Sequence, residues 1–150
     1  MELTTDRIKE LRDRTGVSVM QCKKALEASG GDIEAAVQFL REHASTSAGK
    51  KADRSLGAGT VGNYTHDGLI GAMVVLVCET DFVAKNPEFA TLARELAMQV
   101  AAMDPGSTED LLAESFIKDG GRTISDLLNE AVQKFGERIE VGSYARLAVH

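Results

Sequence analysis

The chain has 150 residues, of which 43% are apolar and 27% charged. These ordinary globular values argue against wholesale disorder, and the length suffices for one medium domain, or a small domain plus a larger one, with a real core. The net charge of −6 is uneven, with +1 over residues 1–54 and −7 over residues 55–150; binding to a nucleic-acid backbone is therefore disfavoured, and an acidic surface suits a protein partner or solubility.

Residues 5–14 read as a first helix, with Leu3, Ile8 and Leu11 on one stripe and Gly16 as its stop. A second helix opens on a capping box, Ser18 with Gln21, and Val17 with Cys22 supplies a hydrophobic staple. Its inner face is Cys22, Ala25 and Leu26, and Ser29-Gly30-Gly31 breaks it. Asp32 caps a third helix, where Ile33, Ala36, Val37 and Leu40 repeat at i, i+3, i+4, i+7. Helices this short do not stand alone, so the three are expected to share one small core over residues 1–44. Residues 45–58 are small, polar and locally basic, and read as a linker.

The period then changes. Residues 59–64 form a plausible strand, Asp67-Gly68 is a hairpin signal, and residues 69–78 make a nearly continuous apolar strand. Such a run predicts burial on both faces, in a sheet covered by helices. At ten residues it is too short to span a bilayer. Asn86 as N-cap with Pro87 after it starts a long helix whose apolar face is Phe89, Leu92, Leu96, Val100 and Met103. Asp104-Pro105-Gly106 ends that helix. Residues 108–118 are weakly helical. Thr123 with Asp126 caps a last helix carrying Leu127, Leu128, Ala131, Val132 and Phe135, with Gly136 at its C′ position. The chain closes on an alternating strand with Ile139, Val141, Ala145, Leu147 and Val149 on one side and Arg138, Glu140, Tyr144 and Arg146 on the other. Residues 59–150 thus read as an α+β core.

Few residues point to chemistry. Gly57-Ala58-Gly59-Thr60-Val61-Gly62 matches a dinucleotide-binding fingerprint, but a polar linker precedes it and a hairpin follows, so glycines easing a linker into a strand is the stronger reading. His43, His66, His150, Cys22 and Cys78 lack metal-ligand spacing, and no nucleophile–base arrangement has recognisable context. No metal, cofactor or covalent catalysis is expected. Two cysteines do not make a disulfide framework, and residues 1–6 show no secretory signal, so a reducing, cytoplasmic setting is the simpler expectation. Lys50, Lys51 and Arg54 read as a solvated linker rather than a basic contact patch. The segment Thr80-Asp81-Phe82-Val83 is different. From spacing alone, Phe82 at a strand-to-helix turn folds back into the core; the competing reading is an exposed aromatic wedge beside a carboxylate.

Thr80-Asp81-Phe82-Val83-Ala84-Lys85-Asn86, after a strand ending Val77-Cys78-Glu79, resembles the signature of the bacterial elongation factor Ts family. Glu10-Leu11-Arg12-Asp13-Arg14-Thr15-Gly16 running into Met20-Gln21-Cys22-Lys23-Lys24-Ala25-Leu26 resembles its N-terminal motif, and Gly31-Asp32-Ile33-Glu34-Ala35-Ala36-Val37 its third helix. Residues 96–102, 126–131 and 136–139 are similar to later blocks. The resemblance implies a ubiquitin-associated-like three-helix domain followed by antiparallel sheet packed with helices. It implies a guanine-nucleotide exchange factor for elongation factor Tu, GDP-bound and nucleotide-free, with no covalent step. By the same resemblance Asp81 and Phe82 intrude near the partner's Mg²⁺ and phosphate site, beside Thr80. Val83 supports that turn, and Arg12 and Met20 lie on a second contacting surface.

The chain departs from the family pattern in three ways. Residues 104–123 are too short for the helical hairpin often inserted before the last helix. There is one core half where longer members have two. Paired arginines are missing from the last strand. A single core with an apolar final strand invites pairing with a second copy. A reading from another class makes the chain a non-catalytic interaction module, with residues 15–17 as the binding loop of a ubiquitin-associated-like domain. A Rossmann-type oxidoreductase rests on the glycines alone.

Overall fold

The computed structural model describes residues 3–150; Met1 and Glu2, at the start of the expected N-terminal domain, lie outside the described residues. The chain forms two compact units, one of residues 1–50 with 129–136, the other of residues 51–128 with 137–150.

The first unit is built on three helices, α1 (Thr5–Thr15), α2 (Val19–Ala28) and α3 (Ile33–Lys50). Local capping starts and stops them. Thr4 and Ser18 accept from the amides of Arg7 and Gln21, Asp32 accepts from Ala35, and Gly16 closes α1 by donating to the Arg12 carbonyl. The Ser18 box is one-sided: the Gln21 side chain does not reach back, and its Oε1 is buried without a hydrogen-bond partner. Leu11, Val17, Cys22, Ala25, Leu26, Ala36 and Leu40 make one shared core, with Ile8, Ile33 and Val37 at its edge. Val17 and Cys22 are both buried, as a staple requires.

Two features depart from expectation. The helix α3 runs on to Lys50, so residues 45–50 are helical and not linker. Ala44 is buried and no proline interrupts, so the elongating turn outweighs the modest penalty of Ser, Thr and Gly. In addition, residues 129–136 belong with this unit. There Glu130 pairs with Arg41 at 3.8 Å, and the methylenes of Lys134 lie over Gly16, where a Cβ would collide with them.

The second unit holds a three-stranded antiparallel sheet in the order β1 (Ala58–His66), β2 (Ile70–Cys78) and, after the intervening elements, β5 (Glu140–Ala148). Asp67 and Gly68, at φ 53° and 69°, form the tight turn between β1 and β2. Between β2 and β5 come the one-turn α4 (Asp81–Ala84), the long α5 (Pro87–Met103), the short α6 (Thr108–Ala113), a small hairpin of β3 (Ser115–Phe116) and β4 (Asp119–Thr123), and α7 (Ile124–Phe135). Asn86 caps α5 with Pro87 in its first turn. Thr123 and Asp126 exchange amide bonds at 3.1 and 3.0 Å, a complete capping box.

One sheet face packs on α5. Ala72, Val74, Leu76 and Cys78 point into it and meet Phe89, Leu92, Leu96 and Val100. Met103, expected on the same stripe, is half exposed at the helix end. The approach is close because Gly62 and Ala93 face each other: a Cβ at Gly62 would lie 2.3 Å from the Ala93 carbonyl carbon. The glycines of residues 57–62 therefore serve strand and helix packing, with no helix following them to bind a pyrophosphate.

Among the described residues the other face is left partly open, contrary to the burial expected on both sides of β2. Val61 and Met73 are about half exposed and Leu147 is 79% exposed. The final strand also differs in phase. Val75 pairs with Ser143 but Leu76 pairs with Val141, so Gly142 is an extra residue that turns the strand over. Val141 thereby shares the helical side with Tyr144 and Arg146, while Ala145 and Leu147 look outward. The polar pair has work there: Tyr144 donates to the Pro105 carbonyl, and Arg146 donates to the Ala101 carbonyl at the end of α5 and pairs with Asp104.

Residues 115–118, expected as the end of a weak helix, instead enter the β3–β4 hairpin. The reason is Gln99, fully buried on α5. Its amide nitrogen donates to the Ser115 carbonyl and the Glu114 carboxylate, and its oxygen accepts from the Ile117 amide. A side chain thus supplies the pairing that a neighbouring strand would otherwise give.

Candidate functional site

The turn after β2 is fixed from both sides. Thr80 is extended (φ −127°, ψ 156°) and caps α4, its Oγ accepting from the Val83 amide at 3.4 Å. The Thr80 carbonyl accepts from the Ala84 amide at 3.1 Å and from the Cys78 thiol at 3.3 Å. A helix of one turn has little stability of its own, so these caps and its single buried residue hold it. That residue is Val83. Phe82, beside it, is 91% exposed, and Asp81 is exposed as well. The expectation that Phe82 folds into the core is overturned: α4 has one inward position per turn, and Val83 occupies it.

Cys78 is completely covered by its surroundings. Burial pushes its thiol above the ordinary value, the negative charges of Glu137 and Asp81 push the same way, and hydrogen bonding to the backbone of Thr80 and Ala84 opposes them. It stays protonated and serves as a donor.

A set of charged residues that spacing did not single out surrounds the root of this turn. Glu137 accepts from the amides of Glu79 and Thr80 at 3.1 and 3.0 Å and from the Thr80 hydroxyl at 2.6 Å. Glu79 in return accepts from the Arg138 amide at 2.6 Å and lies 3.6 Å from the Arg54 guanidinium. Arg138 donates to the Arg54 carbonyl and to Glu140. Arg54, expected to be solvated linker, is thus tied into the core unit. Glu137 and Arg138 stand more than fifty positions from Thr80 and Glu79 in the chain, so no local pattern reveals these two pairings.

Arg12 and Met20 lie on the first unit. Arg12 is exposed near the end of α1, close enough to α2 for its charge to lower the Cys22 thiol slightly against a larger rise from burial. Met20 is 64% exposed in the first turn of α2, next to the half-exposed Val19. In the loop of residues 15–17, Val17 is buried, so no apolar side chain projects from that position. Among the described residues no group of three or more His, Cys, Asp and Glu is placed to hold a metal ion, and no helix is long and apolar enough to cross a membrane.

Chemically, the turn offers one large apolar side chain standing in solvent beside a carboxylate, on a rigid base. An aromatic so displayed suits insertion into a partner's pocket, because the backbone that carries it is already held.

Two family models match the sequence: a UBA-like domain over residues 4–45 and an elongation factor TS domain over residues 79–150. Among curated proteins, elongation factor Ts of Leptospira biflexa is 38% identical over 195 aligned positions, covering 99% of this chain and 98% of that protein. Elongation factor Ts of Thermodesulfovibrio yellowstonii is 37% identical, covering 99% and 97%. The Leptospira alignment has 45 more positions than this chain has residues, so that relative carries segments absent here. Elongation factor Ts of Clostridium kluyveri is 40% identical over 148 positions that make up 48% of its length. The chain belongs to the elongation factor Ts family.

Proposed function

We propose that this elongation factor Ts family member is a guanine-nucleotide exchange factor that releases GDP from elongation factor Tu during translation elongation, in the cytoplasm and without covalent chemistry. The observation that carries this reading is Phe82. A phenylalanine 91% exposed on a helix anchored by buried Val83 is a side chain held out for a partner.

In this reading Asp81 and Phe82, with Thr80 beside them, enter the partner near its Mg²⁺ and phosphate site. Burying the Phe82 ring contributes about 2–3 kcal/mol. That energy is available only where the pocket is open, so it favours the nucleotide-free partner. A GTPase holds its nucleotide through Mg²⁺ and backbone contacts to phosphate, and a wedge that shifts either weakens the nucleotide. Linkage makes the effect reciprocal: the factor by which this chain prefers nucleotide-free over GDP-bound partner is the factor by which it weakens GDP. Arg12 and Met20, with Val19 next to them, supply a second contact that contributes affinity.

Affinity for the two partner states tests this directly. Titration of nucleotide-free and GDP-loaded elongation factor Tu is expected to show tighter binding to the former, and equal affinities would sink the proposal.

The open sheet face supports a second reading, that two copies of the chain pair. Val61, Met73, Val75, Val77, Ala145 and Leu147 lie on this face, with polar Asn63 and Ser143 among them and Glu140 at one corner. An exposed apolar face of this kind suits an isologous contact about a twofold axis.

A further inference from the structure

We infer that Glu137 is the positioning residue of the Asp81–Phe82 turn. The inference rests on the exchange-factor reading, and it names what holds the wedge in place.

A strand that ends and a helix that begins leave backbone amides without partners. Here those amides are Glu79 and Thr80, and both donate to the same Glu137 oxygen. The other oxygen takes the Thr80 hydroxyl at 2.6 Å, a short charge-assisted bond.

That last bond sets direction as well as distance. A hydroxyl has one proton and two lone pairs. A carboxylate is acceptor-only, so Thr80 spends its proton on Glu137 and turns a lone pair toward the Val83 amide. The cap on α4 is therefore oriented by Glu137, and α4 is the element that holds Val83 in and Phe82 out.

Glu137 is itself placed by neighbours. It follows Gly136, which closes α7 by donating to the Val132 carbonyl at 2.9 Å. The reverse bond, from the Arg138 amide to Glu79, makes the clasp reciprocal, and the Arg54 guanidinium 3.6 Å away offsets the Glu79 charge.

The test uses Glu137→Gln in the full chain, with Thr80→Val as a second variant. The glutamine keeps size and one acceptor oxygen, but its NH₂ replaces the oxygen facing the Thr80 hydroxyl. Amide hydrogen exchange by NMR is the readout that needs no partner. Exchange at residues 79, 80 and 83 is expected to quicken by about tenfold or more in Glu137→Gln, the scale of one charge-assisted bond, while α5 amides stay protected. Unchanged exchange at these three amides overturns the inference.

Kinetics with elongation factor Tu supply the second readout. Glu137→Gln is expected to lower the maximal GDP release rate by about tenfold with half-saturation nearly unmoved, because the Arg12 and Met20 surface is intact. Added to Phe82→Ala it should change nothing further, since both act through one side chain. Fully additive losses, or a loss confined to half-saturation, overturn the positioning role. If the unaltered chain releases no GDP, the exchange-factor reading fails, and hydrogen exchange still decides whether Glu137 holds the turn.

Discussion

Phe82 and Val83 are adjacent in the chain and lie in opposite media: Phe82 is 91% exposed and Val83 is 9% exposed. Their mutants should therefore differ in kind. Phe82→Ala is expected to leave the urea midpoint within the range of a surface change, about 0.5 kcal/mol, and to abolish most GDP release. Val83→Ala removes the anchor of α4, costs about 1–2 kcal/mol, and lowers release as the turn loosens. Equal stability losses in the two variants would contradict this division.

Gly62→Ala should be among the most damaging single-methyl changes. Its Cβ would lie 2.3 Å from the Ala93 carbonyl carbon, and neither strand nor helix backbone can yield cheaply. A loss of about 2–3 kcal/mol is expected in urea unfolding, with the same loss absent in Gly120→Ala, where nothing lies nearby.

Gln99→Leu is close in volume but leaves the Ser115 carbonyl and the Ile117 amide without their partners. The expected cost is about 2–3 kcal/mol, with hydrogen exchange rising first in the β3–β4 hairpin. A hairpin as protected as before would mean Gln99 does not hold it.

Local chemistry was legible wherever a residue acts on its own neighbours. Ser18, Asp32, Asn86 and the Thr123–Asp126 pair each cap the helix that their position suggests. What distant residues decide was not legible. Residues 115–118 look weakly helical until Gln99, more than a dozen positions earlier, claims their backbone. The phase of β5 depends on one unpaired position at Gly142. At the candidate site the motif of residues 80–83 stood out, but spacing favoured Phe82 inside. Its exposure follows from Val83 taking the inward place, and its support from Glu137, whose neighbours in sequence give no hint of Thr80.

Cys78 supplies a pH prediction. Its folded thiol is raised above the ordinary value of 9.0, first by burial and then by the charge of Glu137. A raised folded value means that stability is full below the unfolded value and is lost as pH rises through the folded one. The urea midpoint should thus decline above about pH 9, and less steeply in Cys78→Ala. Native Cys78 should also resist iodoacetamide at pH values where unfolded chain reacts. Rapid native labelling, mapped by peptide mass, would contradict it.

Pairing of two copies through the open sheet face predicts a mass that rises with concentration in light scattering. Leu147→Glu, placing a charge on that face, should keep the chain monomeric without unfolding it, since Leu147 is 79% exposed. A concentration-independent monomer mass for the unaltered chain would contradict the pairing.

The central claim is that an outward-held Phe82 drives nucleotide release, and stopped-flow release of a fluorescent GDP analogue from elongation factor Tu tests it most directly. The account predicts release that accelerates with added chain and falls nearly to the spontaneous rate with Phe82→Ala. Release unaffected by the chain, or equally fast with Phe82→Ala, would contradict it.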